Sequence, residues 1–186
     1  MDLYSIGLQK LYVALFARPA DPAGYIWLDE FSNHGQDYSQ INVFTGTAEY
    51  QQRFTGMQFD DLDNYNLEVV KVLYQGMFNR YPDAEGLAFF GNMLDTGEAT
   101  IASIALHIMD GAQGDDLLAL TNKAGSAQMF TDALDTDTDI AAYVGQDAIE
   151  VGQSYLDPVG SDAGTIPTSE QVEAAVGILV SDGSGF

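Results

Sequence analysis

The sequence contains no cysteine among its 186 residues. A chain without cysteine forms no disulfide bond, holds no metal through thiolates and has no cysteine nucleophile. The motifs G-x-S-x-G and H-E-x-x-H, the P-loop and the dinucleotide-binding fingerprint are absent as well, and these patterns carry the chemistry of many hydrolases and nucleotide enzymes. We therefore expect a protein that is not an enzyme and that uses no organic cofactor.

Positive charge is scarce. Six Lys and Arg residues stand against 28 Asp and Glu residues, so the formal net charge is −22. Such a surface repels the phosphates of nucleic acids and anionic lipids and attracts cations. We therefore expect no nucleic-acid partner, although a solvated acidic surface adapted to salt would explain the same charge.

Long hydrophobic runs are missing too. No stretch approaches the ~18 apolar residues of a membrane-spanning helix, so we expect no membrane insertion. The start, MDLYSIGLQKLYVALFARPA, begins with an acid and places Lys10 inside the apolar stretch, which is unlike a signal peptide. An amphipathic first helix explains this segment better.

A repeated pattern is present. The frame L-Y-x-x-x-F-x-R-x-x-D-x-x-G occurs at 11–24 and again at 73–86, 62 residues later. Each copy begins with helical spacing of apolar residues and then reaches a corner that contains proline. We predict an all-α fold, a compact multi-helix bundle of two similar helical units (1–62 and 63–134). C-terminal helices and a tail (135–186) follow, as a candidate assembly or secretion segment.

The polar residues of the repeated frame have a structural interpretation. Asp21 precedes Pro22, the order of an N-cap and a first helical residue, and Asp83 is placed likewise. The arginines are expected to bond corner carbonyls or a carboxylate, and the glycines to permit close helix approach. The structural motif is thus Arg18, Asp21, Gly24, Arg80, Asp83 and Gly86; alternatively, these residues form a duplicated binding site.

The remaining helices are predicted from periodicity and caps. Residues 45–54 form a helix capped by Thr45 or Thr47, and residues 100–111 form one that stops at Gly111. The predicted later helices are one opened by Asp115 or Asp116, a single helix over 139–156, and a last helix with Thr168 and Gln171 in capping-box spacing.

Acidic clusters are candidates for calcium, because this cation prefers hard oxygen ligands. The clusters are Asp135, Asp137 and Asp139, then Asp60, Asp61 and Asp63, and finally Asp115 and Asp116. The first cluster opens like an EF-hand loop but has Ile140 where the glycine belongs and Gln146 at the twelfth position. It is either a calcium site or a solvated loop that leads into a helix.

Histidines and aromatic residues suggest no catalytic centre. His34 and His107 are far apart, and His107 lies in an apolar helix, so we expect it to be partly buried. The ten Tyr, ten Phe and one Trp residues are expected mainly in the core. Some exposed rings would suit protein contacts or stacking on sugars.

The repeated frame resembles a helical domain-of-unknown-function family of bacterial surface proteins, namely RTX and S-layer-like proteins exported by type I secretion. The segment IMDGAQGDDLLALTNKAGSAQMFT (108–131) strengthens the likeness, which is good over 66–134 and fair over 8–56. A looser likeness, through TAEYQQRF and the Tyr–Arg–Asp corner, is to phycobilisome linker domains. The calcium-binding nonapeptide repeats of RTX proteins are absent from this sequence.

The resemblance implies a secreted, non-enzymatic structural protein of the bacterial cell surface. Such a protein would assemble with copies of itself into a layer or filament, with calcium or salt screening its charge. The alternative is a monomeric module that binds surface polysaccharide or a partner protein.

Overall fold

The computed structural model describes residues 3–39, 41–54 and 65–182. Within these ranges the chain is all-α, as the sequence predicts, and contains no β-strand. The α-helices of the described residues are α1 (Leu3–Phe16), α2 (Pro22–Phe31), α3 (Ala48–Phe54), α4 (Tyr65–Phe78), α5 (Ala84–Asp95), α6 (Ile101–Gly111), α7 (Gly114–Ala133), α8 (Asp137–Ala142), α9 (Gly145–Leu156) and α10 (Ser169–Asp182). Short 3-10 helices span Ile41–Gly46 and Ala163–Thr165. None of the described helices is both long and apolar enough to cross a bilayer.

The sequence repeat is visible in the helix boundaries. Helices α1 and α4 begin at Leu3 and Tyr65, and they end at Phe16 and Phe78. Helices α2 and α5 begin at Pro22 and Ala84. Each of these pairs is 62 residues apart, so the two copies of the frame produce the same helix–corner–helix unit.

Helix α1 lies at the centre of the packing and contacts α2, α3, α4, α6 and α7. One hydrophobic core joins both copies of the unit, because Leu11 of α1 and Leu73 of α4 are buried in the same cluster as Ile104 of α6. A smaller cluster joins α7 to the C-terminal helices through Phe130, Tyr143 and neighbouring residues. The three predicted segments therefore pack on one another, while the boundaries drawn between them stay predictions.

Two predicted helix starts are confirmed and one is wrong. Thr47 accepts a hydrogen bond from the backbone of Tyr50 and precedes α3, whereas Thr45 lies in the 3-10 helix. Thr168 and Gln171 exchange the two capping-box hydrogen bonds before α10. Helix α7 instead begins at Gly114 without a side-chain cap, so Asp115 and Asp116 lie within its first turn.

One further boundary is confirmed and one helix differs from the prediction. Helix α6 ends at Gly111, where the sequence predicts its stop. The single helix predicted over 139–156 is two helices, interrupted at Tyr143 and Val144. The break turns Tyr143 into the core, where it is 5% exposed, and Gly145 then takes a positive φ of 86° as α9 begins. Burial of that ring outweighs local helix continuity, which is what sequence periodicity measures.

Candidate functional site

The two corners of the repeated frame are the candidate site. We call Arg18–Gly24, between α1 and α2, the first elbow, and Arg80–Gly86, between α4 and α5, the second elbow. In the first elbow, Asp21 Oδ1 accepts a hydrogen bond of 2.7 Å from the backbone N–H of Gly24. In the second, Asp83 Oδ1 accepts one of 2.7 Å from Gly86. Both acids are therefore N-caps, of α2 and α5, as their sequence positions predict.

Arg18 ties the first elbow to α3. Its Nη1 donates to the carbonyl of Pro19 at 2.8 Å. Its Nε and Nη2 donate to the two carboxylate oxygens of Glu49 at 2.6 and 2.7 Å. The guanidinium therefore bonds both a corner carbonyl and a carboxylate, and the two-bond geometry is the strong form of an arginine ion pair.

Arg80 makes the equivalent hydrogen bonds in the second elbow. Its Nη1 donates to the carbonyl of Tyr81 at 2.9 Å, and its Nε and Nη2 donate to Asp116 at 2.7 and 2.5 Å. Each arginine thus connects its elbow to a helix more than 30 residues later, α3 or α7. The sequence predicted the type of partner but not Glu49 or Asp116, because no local spacing links them to the arginines.

The glycines of the frame make room for the tyrosines of the same frame. A Cβ atom at Gly24 would lie 2.3 Å from Tyr12 Oη, and one at Gly86 would lie 3.3 Å from Tyr74 Oη. The first distance is far below van der Waals contact. Gly24 is therefore required for close packing of α1 on α2, whereas the second elbow is looser at Gly86.

A backbone feature shared by the elbows was missed from the sequence. The residue before each arginine has a left-handed conformation, with φ of 54° at Ala17 and 56° at Asn79. This region is disfavoured for residues with a side chain, although asparagine tolerates it better than most. In the sequence, Asn79 was a sign of a left-handed residue before Arg80, whereas Ala17 gave no such sign before Arg18.

The C-terminal helices cover the first elbow. Tyr143 Oη donates to the carbonyl of Pro19 at 2.9 Å, and the Tyr143 ring lies 5.4 Å from the guanidinium carbon of Arg18. Burial lowers the pKa of Arg18, but its hydrogen bonds to Glu49 and the nearby charge raise that pKa above the ordinary value. The guanidinium therefore stays charged in a site where Arg18 is only 8% exposed.

The second elbow is open to solvent. The Arg80 side chain is 44% exposed, and large apolar side chains around the elbow are exposed too: Tyr81 67%, Phe89 62%, Leu117 44% and Leu118 51%. Phe89 contacts Phe90, Phe90 contacts Tyr74, and the Arg80 guanidinium lies over the Tyr74 ring. We call Tyr81, Phe89, Leu117 and Leu118 the second-elbow surface.

The described candidate calcium ligands do not surround a common point, as the ligands of one metal ion would. Asp139 forms a capping box with Thr136 at the start of α8, and Asp116 is paired with Arg80. The described residues include no group of three His, Asp or Glu side chains placed to hold a metal ion, so Asp135, Asp137 and Asp139 do not converge. The cluster Asp60, Asp61 and Asp63 lies outside the described residues.

The histidines are separate, as the sequence suggests, but the expected burial of His107 is wrong. His107 is exposed on α6, because its position falls on the outer side of a helix whose Ile104 and Ile108 face the core. His34 Nδ1 lies 2.7 Å from an Asp29 oxygen at the surface. Neither histidine reaches the elbows.

An apolar groove lies between α9 and α10, with a volume of about 510 Å³. Its lining includes Val151, Tyr155, Ala175 and Ile178, together with the acids Asp147 and Glu150. We call it the C-terminal groove.

Comparisons of the chain with models of protein families, with curated proteins and with solved structures found no match.

Proposed function

We propose that this protein is a non-enzymatic structural subunit of a bacterial cell surface that assembles with copies of itself. The observation that carries the proposal is the difference between the elbows. Both have the same bonded centre, but the first is covered by Tyr143 and by α9, and the second exposes its apolar surroundings. The secreted location and export by type I secretion follow from the resemblance of the repeated frame to surface proteins.

The exposed rings of the second-elbow surface favour a protein contact. Burying a Phe side chain contributes about 1.5–3 kcal/mol, and aromatic residues are enriched in the buried centres of protein interfaces. Tyr81 and Phe89 each expose more than 60% of their surface. A partner that covers these two rings would shield the second elbow from solvent, as Tyr143 shields the first.

We propose that the partner surface is the C-terminal groove of a second copy. Val151, Tyr155 and Ile178 give this groove apolar walls, which suit an inserted aromatic ring. The contact would join two different surfaces of identical chains, and such contacts generate open chains when the rotation does not close. A filament or layer is therefore favoured over a closed dimer.

Charge would regulate this assembly. Copies with a net charge of −22 repel one another, and Asp147 and Glu150 add negative charge at the groove itself. Screening by salt weakens such repulsion. Calcium would then act mainly as a counterion between copies, and chelation would weaken assembly.

The test is the molar mass in solution as a function of protein concentration, by light scattering at low and high ionic strength, with and without calcium. We expect mass to grow with concentration and with screening. Replacing Tyr81→Ser or Phe89→Ser removes about 2 kcal/mol of contact each, which weakens association by roughly thirtyfold per change. Ile26→Ser is the matched control, since Ile26 is 59% exposed but lies on α2.

A monomer at every concentration and ionic strength would contradict the assembly proposal and favour the alternative binding module. One observation supports that alternative. Trp27 is 43% exposed, stacks on Phe31 and lines a cavity of about 350 Å³ beside the first elbow. Its indole could stack on a sugar ring, and saturable quenching of the single tryptophan by surface polysaccharide would test this.

A further inference from the structure

A second cavity, of about 610 Å³, lies where α1, α3, α4 and α9 meet. Its polar lining comprises Arg53, Gln75, Asn79, Gln153 and Asp157, and Gly76 contributes backbone. The volume is in the range of small-molecule sites. The cavity is distinct from the C-terminal groove and from the second-elbow surface.

Arg53 lines this cavity. Burial lowers the pKa of Arg53 to about 10, and the charges of Glu49 and Asp157 raise it. Among the described residues Arg53 forms no ion pair within 4 Å, and its buried Nε has no hydrogen-bond acceptor. Its guanidinium lies over the Phe54 ring, 5.6 Å from the centroid. Glu49, one helical turn earlier, would be the usual i, i+4 partner, but it is bonded to Arg18 instead.

Lys123 is a second cation in the same region, and unlike the partly exposed Arg53 it is buried. It is 2% exposed, and no carboxylate of the described residues lies within ion-pair distance of it. Burial lowers the pKa of Lys123 to about 8, while Asp157 raises it and Arg53 lowers it further. Two of the six cations of an acidic chain therefore lie near Asp157, and Arg53 and Asp157 line the cavity itself. Burying charge in such a region is costly.

We propose that this cavity binds a small hydroxylated monocarboxylate, whose carboxylate pairs with the Arg53 guanidinium. The planar fork of arginine matches a carboxylate with two parallel hydrogen bonds. Asp157 lines the same cavity and accepts hydrogen bonds from ligand hydroxyl groups, while its negative charge disfavours a doubly charged phosphate. Gln75 and Gln153 add amide groups, and Gln153 Nε2 is already used on the carbonyl of Phe16.

Gly76 supports this arrangement. A Cβ atom at Gly76 would lie 2.9 Å from Arg53 Nη2. The absence of a side chain at Gly76 therefore keeps space for the guanidinium at the cavity wall. The variant Gly76→Ala displaces the guanidinium and preserves its charge.

The experiment is a titration of the full chain with D-glucuronate, followed by calorimetry and by NMR of the side-chain amides of Gln75 and Gln153. Glucose is the uncharged control and sodium chloride the control for ionic strength. We expect saturable binding of glucuronate, and a loss of about tenfold or more in affinity in Arg53→Gln. Gly76→Ala should weaken binding too. Lys71→Gln should not, because Lys71 forms a half-exposed ion pair with Glu68 on the surface of α4.

The proposal is overturned by any of three results: no saturable binding, binding by Arg53→Gln equal to that of the unmodified chain, or equal competition by chloride. Should Arg53→Gln fail to fold, unchanged binding by Gly76→Ala overturns it. Repeating the titration in Tyr81→Ser separates this proposal from self-assembly, because that variant changes association and leaves the cavity intact.

Discussion

The guanidinium of Arg18 and the carboxylate of Glu49 form a two-bond ion pair with N–O distances of 2.6 and 2.7 Å, beneath the ring of Tyr143. The pair Arg80–Asp116 has the same geometry in the second elbow. The two pairs differ in surroundings, since the Arg18 side chain is 10% exposed and the Arg80 side chain 44%. Ion pairs of the same geometry contribute different free energies when one is buried and the other is exposed to water.

Breaking the two ion pairs should therefore cost different amounts. We expect Glu49→Gln to lower the free energy of unfolding by about 3–5 kcal/mol, because it leaves the buried Arg18 charge without its partner. Asp116→Asn should cost about 1 kcal/mol or less, since water solvates Arg80 in the variant. Urea unfolding measures both, and equal losses would contradict the distinction between the elbows.

Gly24→Ala should destabilise the protein more than Gly86→Ala. The added methyl group would meet Tyr12 Oη at 2.3 Å, whereas at Gly86 the nearest atoms lie 3.2 Å away or more. The overpacking penalty at Gly24 is about 1–3 kcal/mol. Tyr12→Phe removes the nearer of two obstructing oxygens, the other being Asp21 Oδ2 at 2.8 Å, so the double variant should recover part of the loss. Thermal denaturation of the four proteins gives the coupling energy.

Tyr143 should hold the C-terminal helices on the first elbow. Tyr143→Phe keeps the ring and removes the hydroxyl group, which donates to Pro19 and interacts with Arg18, and it should cost about 1–2 kcal/mol. Tyr143→Ala also removes the buried ring and should cost about 3–5 kcal/mol. Hydrogen exchange should then accelerate in α8 and α9 more than in α4. Uniform acceleration along the chain would argue against a local role.

The stability of the protein should rise with pH between about pH 8 and 10. The pKa of Lys123 falls from 10.5 to about 8 on folding, with burial as the main cause. In this window the unfolded chain binds a proton that the folded chain has lost, so raising the pH favours the folded state, by up to about 3 kcal/mol.

Lys123→Met should abolish this rise and increase stability at pH 7, because it removes the cost of burying the charge. Lys71→Met is the control and should retain the rise. Above pH 10 stability should fall, since burial raises the pKa values of Tyr12 and Tyr143 and the unfolded chain ionises first. Urea unfolding at each pH measures the free energy of unfolding. An identical rise in Lys123→Met would contradict the assignment of this pH dependence to Lys123.

The elbow caps could be predicted because capping is local. Asp21 and Asp83 bond backbone groups three residues later, within a segment whose order of residues already favours that geometry. The partners of Arg18 and Arg80 could not be predicted in this way. Glu49 and Asp116 are 31 and 36 residues away, and any of many acids could have filled the role.

The division of 139–156 and the exposure of His107 show the same limit. Helical periodicity identified a helix in each region, but which side faced the core depended on neighbours from other parts of the chain. The helix is interrupted at Tyr143, whose hydroxyl donates to the carbonyl of Pro19. His107 lies on the outer side of α6. Tertiary packing overrides local propensity in such places.

The sequence by itself determined the helical class, the duplicated helix–corner–helix unit and its capped starts, since these depend on interactions among residues a few positions apart. The tertiary structure alone decided that one elbow is buried under Tyr143 and the other is open, and that Arg53 and Lys123 lie near one cavity. Burial and charge environment depend on which distant segments come together. Two nearly identical motifs therefore acquire different stabilities and different surfaces within one chain.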